Sequence, residues 1–146
     1  MAAIYLLDTG PLGLLAHDRP ARRLPIQTWL VQEMTAGATV YISEVADFEV
    51  RRELTRLIRA GQLPPTRLNR LDQLANLCSY LPVCTAMWRR AADLWADSRL
   101  QGTPTASAGA LDADILIAAQ AAEVLATVVT NNPLHIGRWV PVHAWP

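Results

Sequence analysis

Short apolar runs alternate with amphipathic stretches along almost the whole chain. Ile4-Tyr5-Leu6-Leu7 reads as a short buried strand, Gly10 and Pro11 mark a turn after it, and residues 12–16 allow one helical turn. From about Pro25 to Thr35, Ile26, Trp29, Leu30 and Met34 recur at helical spacing, and Gly37 ends the helix. Thr39-Val40-Tyr41-Ile42 is β-branched and aromatic, hence a second strand. Ser43 offers an N-cap to a helix that runs to about Ala60 and stops at Gly61. Thr66 caps another helix, with Leu68, Leu71, Leu74 and Ala75 inward. Tyr80 to Cys84 is a weaker strand, expected to be short because Pro82 lies inside it. Thr85 caps a helix with Trp88, Ala91, Ala92 and Trp95 on one stripe. The small, polar stretch from Gln101 to Gly109 reads as a loop. A helix opens at or near Asp112 and runs to about Val124. Ala126 to Thr130 and Val140 to His143 read as the last two strands. Strands alternating with helices imply an α/β fold whose parallel sheet is covered on both faces.

The 146 residues are enough for a sizeable core, and no repeat or linker divides them, so one domain is expected. Hydrophobic residues at 51% and charged residues at 18% place the chain among globular proteins rather than disordered ones. No apolar run approaches a membrane span, and an acid follows the short N-terminal run directly, without the basic start of a signal peptide. A cytoplasmic protein is the expectation. The net charge is zero, so global charge does not point to nucleic acid. All 13 basic side chains are arginines, which suits bidentate phosphate contacts but also follows from genome composition. Cys78 and Cys84 form no CxxC pair, and His17, His135 and His143 are scattered. Two small, half-buried thiols are expected there, not a zinc site. A phosphotransfer protein would need a lysine beside its aspartate, and the chain has none. No G-x-G-x-x-G follows the first strand to bind a dinucleotide.

The acids carry the candidate chemistry. Asp8 follows the first strand. Glu44, Asp47, Glu49 and Glu53 lie on the helix after the second. Asp112 and Asp114 open the helix before the fourth, and Thr130, Asn131 and Asn132 follow the fourth. Open α/β sheets bind ligands at the carboxyl ends of their strands. Carboxylates gathered there repel one another unless a cation lies between them, and hard ions such as Mg²⁺ or Mn²⁺ accept such oxygen ligands. On the second helix Ala46, Val50, Leu54 and Leu57 form the inward stripe and Arg52, Arg56 and Arg59 the opposite one. Glu49 and Glu53 lie on a flank between them, within reach of a cleft. Each acid also has a plain role. Asp8 suits a turn, Asp112 an N-cap, and Glu49 and Glu53 suit pairing with arginine on a solvated face. Those plain roles do not require all the acids to fall at one sheet edge, and the joint pattern points to a metal site.

Four segments resemble the PIN-domain family, and within it the small VapC-type toxins. They are Tyr5-Leu6-Leu7-Asp8-Thr9-Gly10-Pro11-Leu12; Ile42-Ser43 followed by Glu49 and Arg52-Glu53-Leu54; Asp112-Ala113-Asp114-Ile115-Leu116-Ile117-Ala118-Ala119-Gln120-Ala121; and Val128-Val129-Thr130-Asn131-Asn132 with His135. The resemblance covers nearly the whole chain. It implies an α/β/α sandwich with a central parallel sheet in the order 3-2-1-4-5. It implies an endoribonuclease that depends on Mg²⁺ or Mn²⁺, a small cognate antitoxin as partner, RNA as substrate, and a homodimer. By the same resemblance Asp8, Glu49 and Asp114 match the active-site acids, with Asp112 the nearby extra carboxylate. Asp8, Asp112 and Asp114 are the implied metal ligands. Thr9 and Thr130 match supporting hydroxyls. Asn132 falls where many relatives carry Asp and removes one negative charge. This leaves open a weak or inactive PIN-like binding module as the alternative. Arg52, Arg56 and Arg59 could hold RNA phosphates or serve as a solvated face. Exposed Phe48 is a candidate for dimer contacts, whereas Trp29, Trp88 and Trp95 are expected in the core.

Overall fold

The computed structural model describes residues 2–102 and 112–146. In chain order its elements are β1 (Ile4–Leu7), α1 (Thr9–Leu15), α2 (Pro20–Thr35), β2 (Thr39–Ser43), α3 (Glu44–Arg59), α4 (Thr66–Leu74), β3 (Ser79–Leu81), α5 (Thr85–Leu100), α6 (Ala113–Val124), β4 (Thr127–Thr130), α7 (Pro133–Ile136) and β5 (Val142–Ala144). The strands form one sheet in the order β3-β2-β1-β4-β5, parallel at every pairing. Neighbouring residues on a strand point to opposite faces. Leu6 and Leu7 are both fully buried, as are Val128 and Val129. Helices therefore cover both faces, and the architecture is the expected α/β/α sandwich.

Register fixes what lies at the carboxyl edge. Leu7 stands opposite Ile42 on β2 and Val129 on β4. The next residues, Asp8, Ser43 and Thr130, thus leave the sheet side by side. The chain runs from β1 outward through β2 and β3, then returns to the other side of β1 as β4. The strand order reverses between β1 and β4, and such a switch point opens a crevice at the strand ends.

Several boundaries differ from the sequence reading. Helix α2 begins at Pro20, with Pro25 inside it. The start is thus five residues earlier than the apolar spacing implies, and the interior proline lacks the N–H for the carbonyl four residues back. Here burial of Ile26 and Leu30 offsets that lost bond. Thr66 and Thr85 are first helical residues, not caps; the caps are Pro65 and Cys84. Strand β3 ends before Pro82, and β5 starts after Pro141, each proline lying outside the ladder. The inward stripe of α5 is Met87, Ala91 and Ser98, with Leu94 beside it, not Trp88, Ala92 and Trp95. Small Ala91 packs against Ile115, Leu116 and Ala119 of α6. Trp88 and Trp95 are left 48% and 37% exposed, which corrects their core assignment, while Trp29 does pack against the core. Cys78 is buried and Cys84 exposed, so the thiols are unequal rather than both half-buried. The loop expected at 101–109 lies, from residue 103 on, outside the described residues. Among the described residues no helix is long and apolar enough to cross a membrane.

Candidate functional site

Asp8 sits at the switch point, only 7% exposed. Its Oδ1 accepts the Thr9 backbone N–H at 2.8 Å and caps α1. Its Oδ2 accepts the buried Thr130 hydroxyl at 2.7 Å. The Thr130 Oγ1 in turn accepts the Asn132 backbone N–H at 2.9 Å. From the first turn of α1 the Thr9 hydroxyl donates to Glu49 Oε1 on α3 at 2.7 Å. One aspartate thus does the turn work expected of it and is also locked to two neighbouring elements.

Ser43 and Gln120 hold the surrounding helices. Ser43 Oγ accepts the Ala46 N–H at 3.2 Å, which caps α3. The Ser43 hydroxyl donates to Gln120 Oε1, and Gln120 Nε2 donates to the Leu81 carbonyl at 2.8 Å. Ser43 and Gln120 are fully buried, so these polar groups need each other. The latch ties α6 to β2 and β3 and brings the start of α6 to the same sheet edge.

At that start, Asp112 Oδ1 accepts the Ile115 N–H at 3.2 Å as the N-cap. Asp112 Oδ2 is buried with no hydrogen-bond partner. Asp114, in the first turn, is half-buried and lies 3.0 Å from His135 Nε2 through its Oδ2. Burial pushes the Asp114 carboxyl above its ordinary value. The charge of Asp8 adds to this, His135 partly offsets it, and Asp112 and Glu49 push the same way. Carboxylates from three segments, the end of β1, α3 and the start of α6, therefore converge on Asp114 at one edge of the sheet.

Asn132 is exposed and shares a shallow depression with Leu134, His135 and Arg138. The amide beside Thr9, Gly10 and Glu49 is that of Asn131. It lies so close to Gly10 that a Cβ there would run into it. The arginine face of α3 is largely engaged. Arg52 lies 3.6 Å from Glu49 and over the exposed Phe48 ring, and Arg56 pairs with Glu53. Arg59 has no ion-pair partner among the described residues. His135 and Asn131 were not chosen as site residues from sequence, although both stand in the motif after β4. The His135 contact depends on α7, a single turn too short for periodicity to show, and the Asn131 contact on the approach of the β4 exit to α1.

Among the described residues no group of three His, Cys, Asp or Glu side chains already stands arranged to hold a metal ion. The donor set nevertheless suits a hard divalent cation. It offers carboxylate oxygens, one of them buried and unpartnered, in a field that disfavours negative charge on Asp114.

Residues 5–134 match the sequence profile of the PIN domain family. No match is found among curated proteins. Solved structures share the fold across nearly the whole chain. VapBC2 from Rickettsia felis, bound to a DNA fragment from its promoter, matches with a TM-score of 0.74 at 18% identity, covering 98% of this chain and 99% of that one. FitAcB from Neisseria gonorrhoeae matches with a TM-score of 0.69 at 21% identity, covering 94% and 95%. VapBC-1 from nontypeable Haemophilus influenzae matches with a TM-score of 0.66 at 18% identity, covering 97% and 98%. At these identities the likeness is one of fold.

Proposed function

We propose that this chain, which belongs to the PIN domain family, is a divalent-metal-dependent endoribonuclease. The observation that carries the reading is the convergence of Asp8, Glu49 and Asp112 on Asp114 at one switch point, with Asp112 Oδ2 buried and unpartnered. Asp8, Asp112 and Asp114 would hold Mg²⁺ or Mn²⁺, with Glu49 beside them. A bound ion of this kind supplies positive charge to phosphoryl oxygens and makes water more acidic. The chain's own part is to place the carboxylates. The Thr130 hydroxyl and the Thr9 N–H fix both oxygens of Asp8, and the Thr9 hydroxyl orients Glu49. Asp114 Oδ2 is engaged by His135 Nε2, so this pair would compete with a cation for that oxygen. The resemblance to VapC-type toxins, and the fold shared with VapBC and FitAcB chains, support a cytoplasmic toxin with a small antitoxin as partner.

The test pairs chemistry with folding. Asp8→Asn and Asp114→Asn keep side-chain shape but remove the charge that holds a cation. Each is expected to lower RNA cleavage in Mn²⁺ by at least about a hundredfold, with a cooperative melting transition retained. Growth arrest on expression of the chain alone should vanish with cleavage. Persistent cleavage by a folded Asp8→Asn protein would reduce Asp8 to a turn residue. If wild type neither cleaves RNA nor slows growth, the chain is a PIN-like binding module, and the charge missing at Asn132 is the first place to look.

A further inference from the structure

A groove of about 960 Å³ runs away from the acids along α1. At one end it is walled by Thr9, Glu49, Asn131 and Trp145; at the other by His17, Arg22 and Arg67. Helix α1 separates the ends. Thr9 and His17 lie eight positions apart, roughly 12 Å at 1.5 Å per residue. Glu49 and the cations of the groove thus stand at opposite ends, with Glu53 on the α3 wall.

The far end has the features of an anion seat. Neither Arg22 nor Arg67 has a carboxylate partner among the described residues. Arg67 Nε is buried with no hydrogen-bond partner, an uncommon state for a group that only donates. His17 Nδ1 accepts the Arg19 N–H at 3.0 Å, which leaves Nε2 as its donor when neutral. Burial lowers the His17 pKa, and Arg67, Arg22 and Arg19 lower it further, so positive potential converges on this ring. The nearest acid, Asp18, already accepts the Thr66 hydroxyl at 2.8 Å and lies 3.6 Å from Arg70. Glu53, on the groove's α3 wall, is held by Arg56.

The near end offers a π surface. The Trp145 backbone N–H donates to the Thr130 carbonyl at 2.8 Å, and Trp145 lines the groove together with Thr9, Glu49 and Asn131. Trp29 packs against it at 5.8 Å between ring centroids, and His143 stacks on Trp29 at 5.2 Å. An aromatic platform followed by cations is the combination that holds single-stranded nucleic acid.

We propose that this groove seats the single-stranded RNA substrate, with a base against Trp145 and a phosphate held by Arg22, Arg67 and His17, away from the scissile bond. The assignment rests on the ribonuclease reading for the identity of the strand, but its test does not require turnover. The probe is a short fluorescein-labelled oligouridylate, titrated by anisotropy with EDTA present at several salt concentrations. Arg22→Ala with Arg67→Ala should weaken binding about tenfold and reduce the log–log salt slope by about 1.4, two contacts at 0.7 each. Trp145→Ala should weaken binding by about tenfold more, while Trp145→Phe keeps a π face and most of the affinity. Arg22→Glu guards against misfolding. The site is exposed in the first turn of α2, where an acid suits the helix dipole, yet binding should fall further than with alanine. Unchanged affinity and slope in folded double-arginine variants overturn the subsite and leave the groove to another occupant, such as a protein segment. No binding by wild type overturns it as well. Cleavage in Mn²⁺ is scored separately. Arginine-dependent binding without cleavage leaves the subsite standing and removes the nuclease. Cleavage with arginine-independent binding does the reverse.

Discussion

Asp114 is a side chain whose charged form sits at a cost in the fold. Its carboxyl is raised by burial and by three other acids, with only His135 in opposition. The native state therefore binds this proton more tightly than the unfolded chain does. Over the interval from the ordinary aspartate value up to the raised one, stability must fall as pH rises, and above it the penalty is constant. For metal-free protein, Asp114→Asn should flatten that part of the pH–stability curve. At neutral pH it should leave the melting temperature equal to or above wild type. Thermal melts in EDTA across the acid range check this. A variant that melts well below wild type at neutral pH would mean that the His135 pair outweighs the repulsion. Asp112 makes the same point by geometry, since one oxygen caps α6 and the other, buried, has no partner. The sequence showed Asp8 because strand exits are legible from apolar runs, and Asp112 and Asp114 because they stand just ahead of an apolar helical stretch. It did not show His135 or Asn131, whose roles arise from a close approach of α7 to α6 and of β4 to α1.

Among the elements, α6 is held to the sheet edge by Ser43 and Gln120 rather than by an amphipathic stripe. Its residues from Ile115 to Ala121 are all buried, so periodicity says little about which way it faces. Ser43→Ala removes the α3 cap and leaves Gln120 Oε1 without its donor in a dry site. A loss of about 1–3 kcal/mol is expected, seen as a melting temperature lower by roughly 3–10 °C. In a Gln120→Met background the same change should cost only the cap, about 1 kcal/mol. Equal losses in both backgrounds would show that the latch does not couple the helices. The strands and most helices were readable because buried runs and caps are local signals. The failures also have local causes. Pro25 read as a start because proline is usually confined to first turns. The α5 stripe slipped by one position because tryptophan outweighs alanine in any hydrophobicity count, whereas the residues of α5 that meet α6 are Ala91 and Leu94.

For the whole molecule, the decisive feature is that the chain reverses direction across the sheet beside β1, and this brings together acids more than a hundred residues apart. If these acids hold a cation, as proposed, the fold should respond to it. Anything that binds the native state alone stabilises it by mass action, by about 2.7 kcal/mol at a hundred times its dissociation constant. Mn²⁺ is therefore expected to raise the melting temperature in a concentration-dependent way, and Asp8→Asn should abolish the shift. Asn132 refines the test. Its backbone N–H is bonded to Thr130 Oγ1, but its side chain lies in a surface depression with His135 and Arg138. An acid installed there by Asn132→Asp adds a negative charge near β4. If its side chain can turn toward Asp8, the Mn²⁺-induced shift should begin at about a tenfold lower concentration, since 1.4 kcal/mol of added attraction corresponds to that factor. If the shift is unchanged, the side chain at 132 stays outside the site, and the metal is held by Asp8, Asp112 and Asp114 without it. If Mn²⁺ stabilises neither protein, with or without RNA, the repulsion at the switch point is relieved by something other than a divalent ion, and the nuclease reading fails with it.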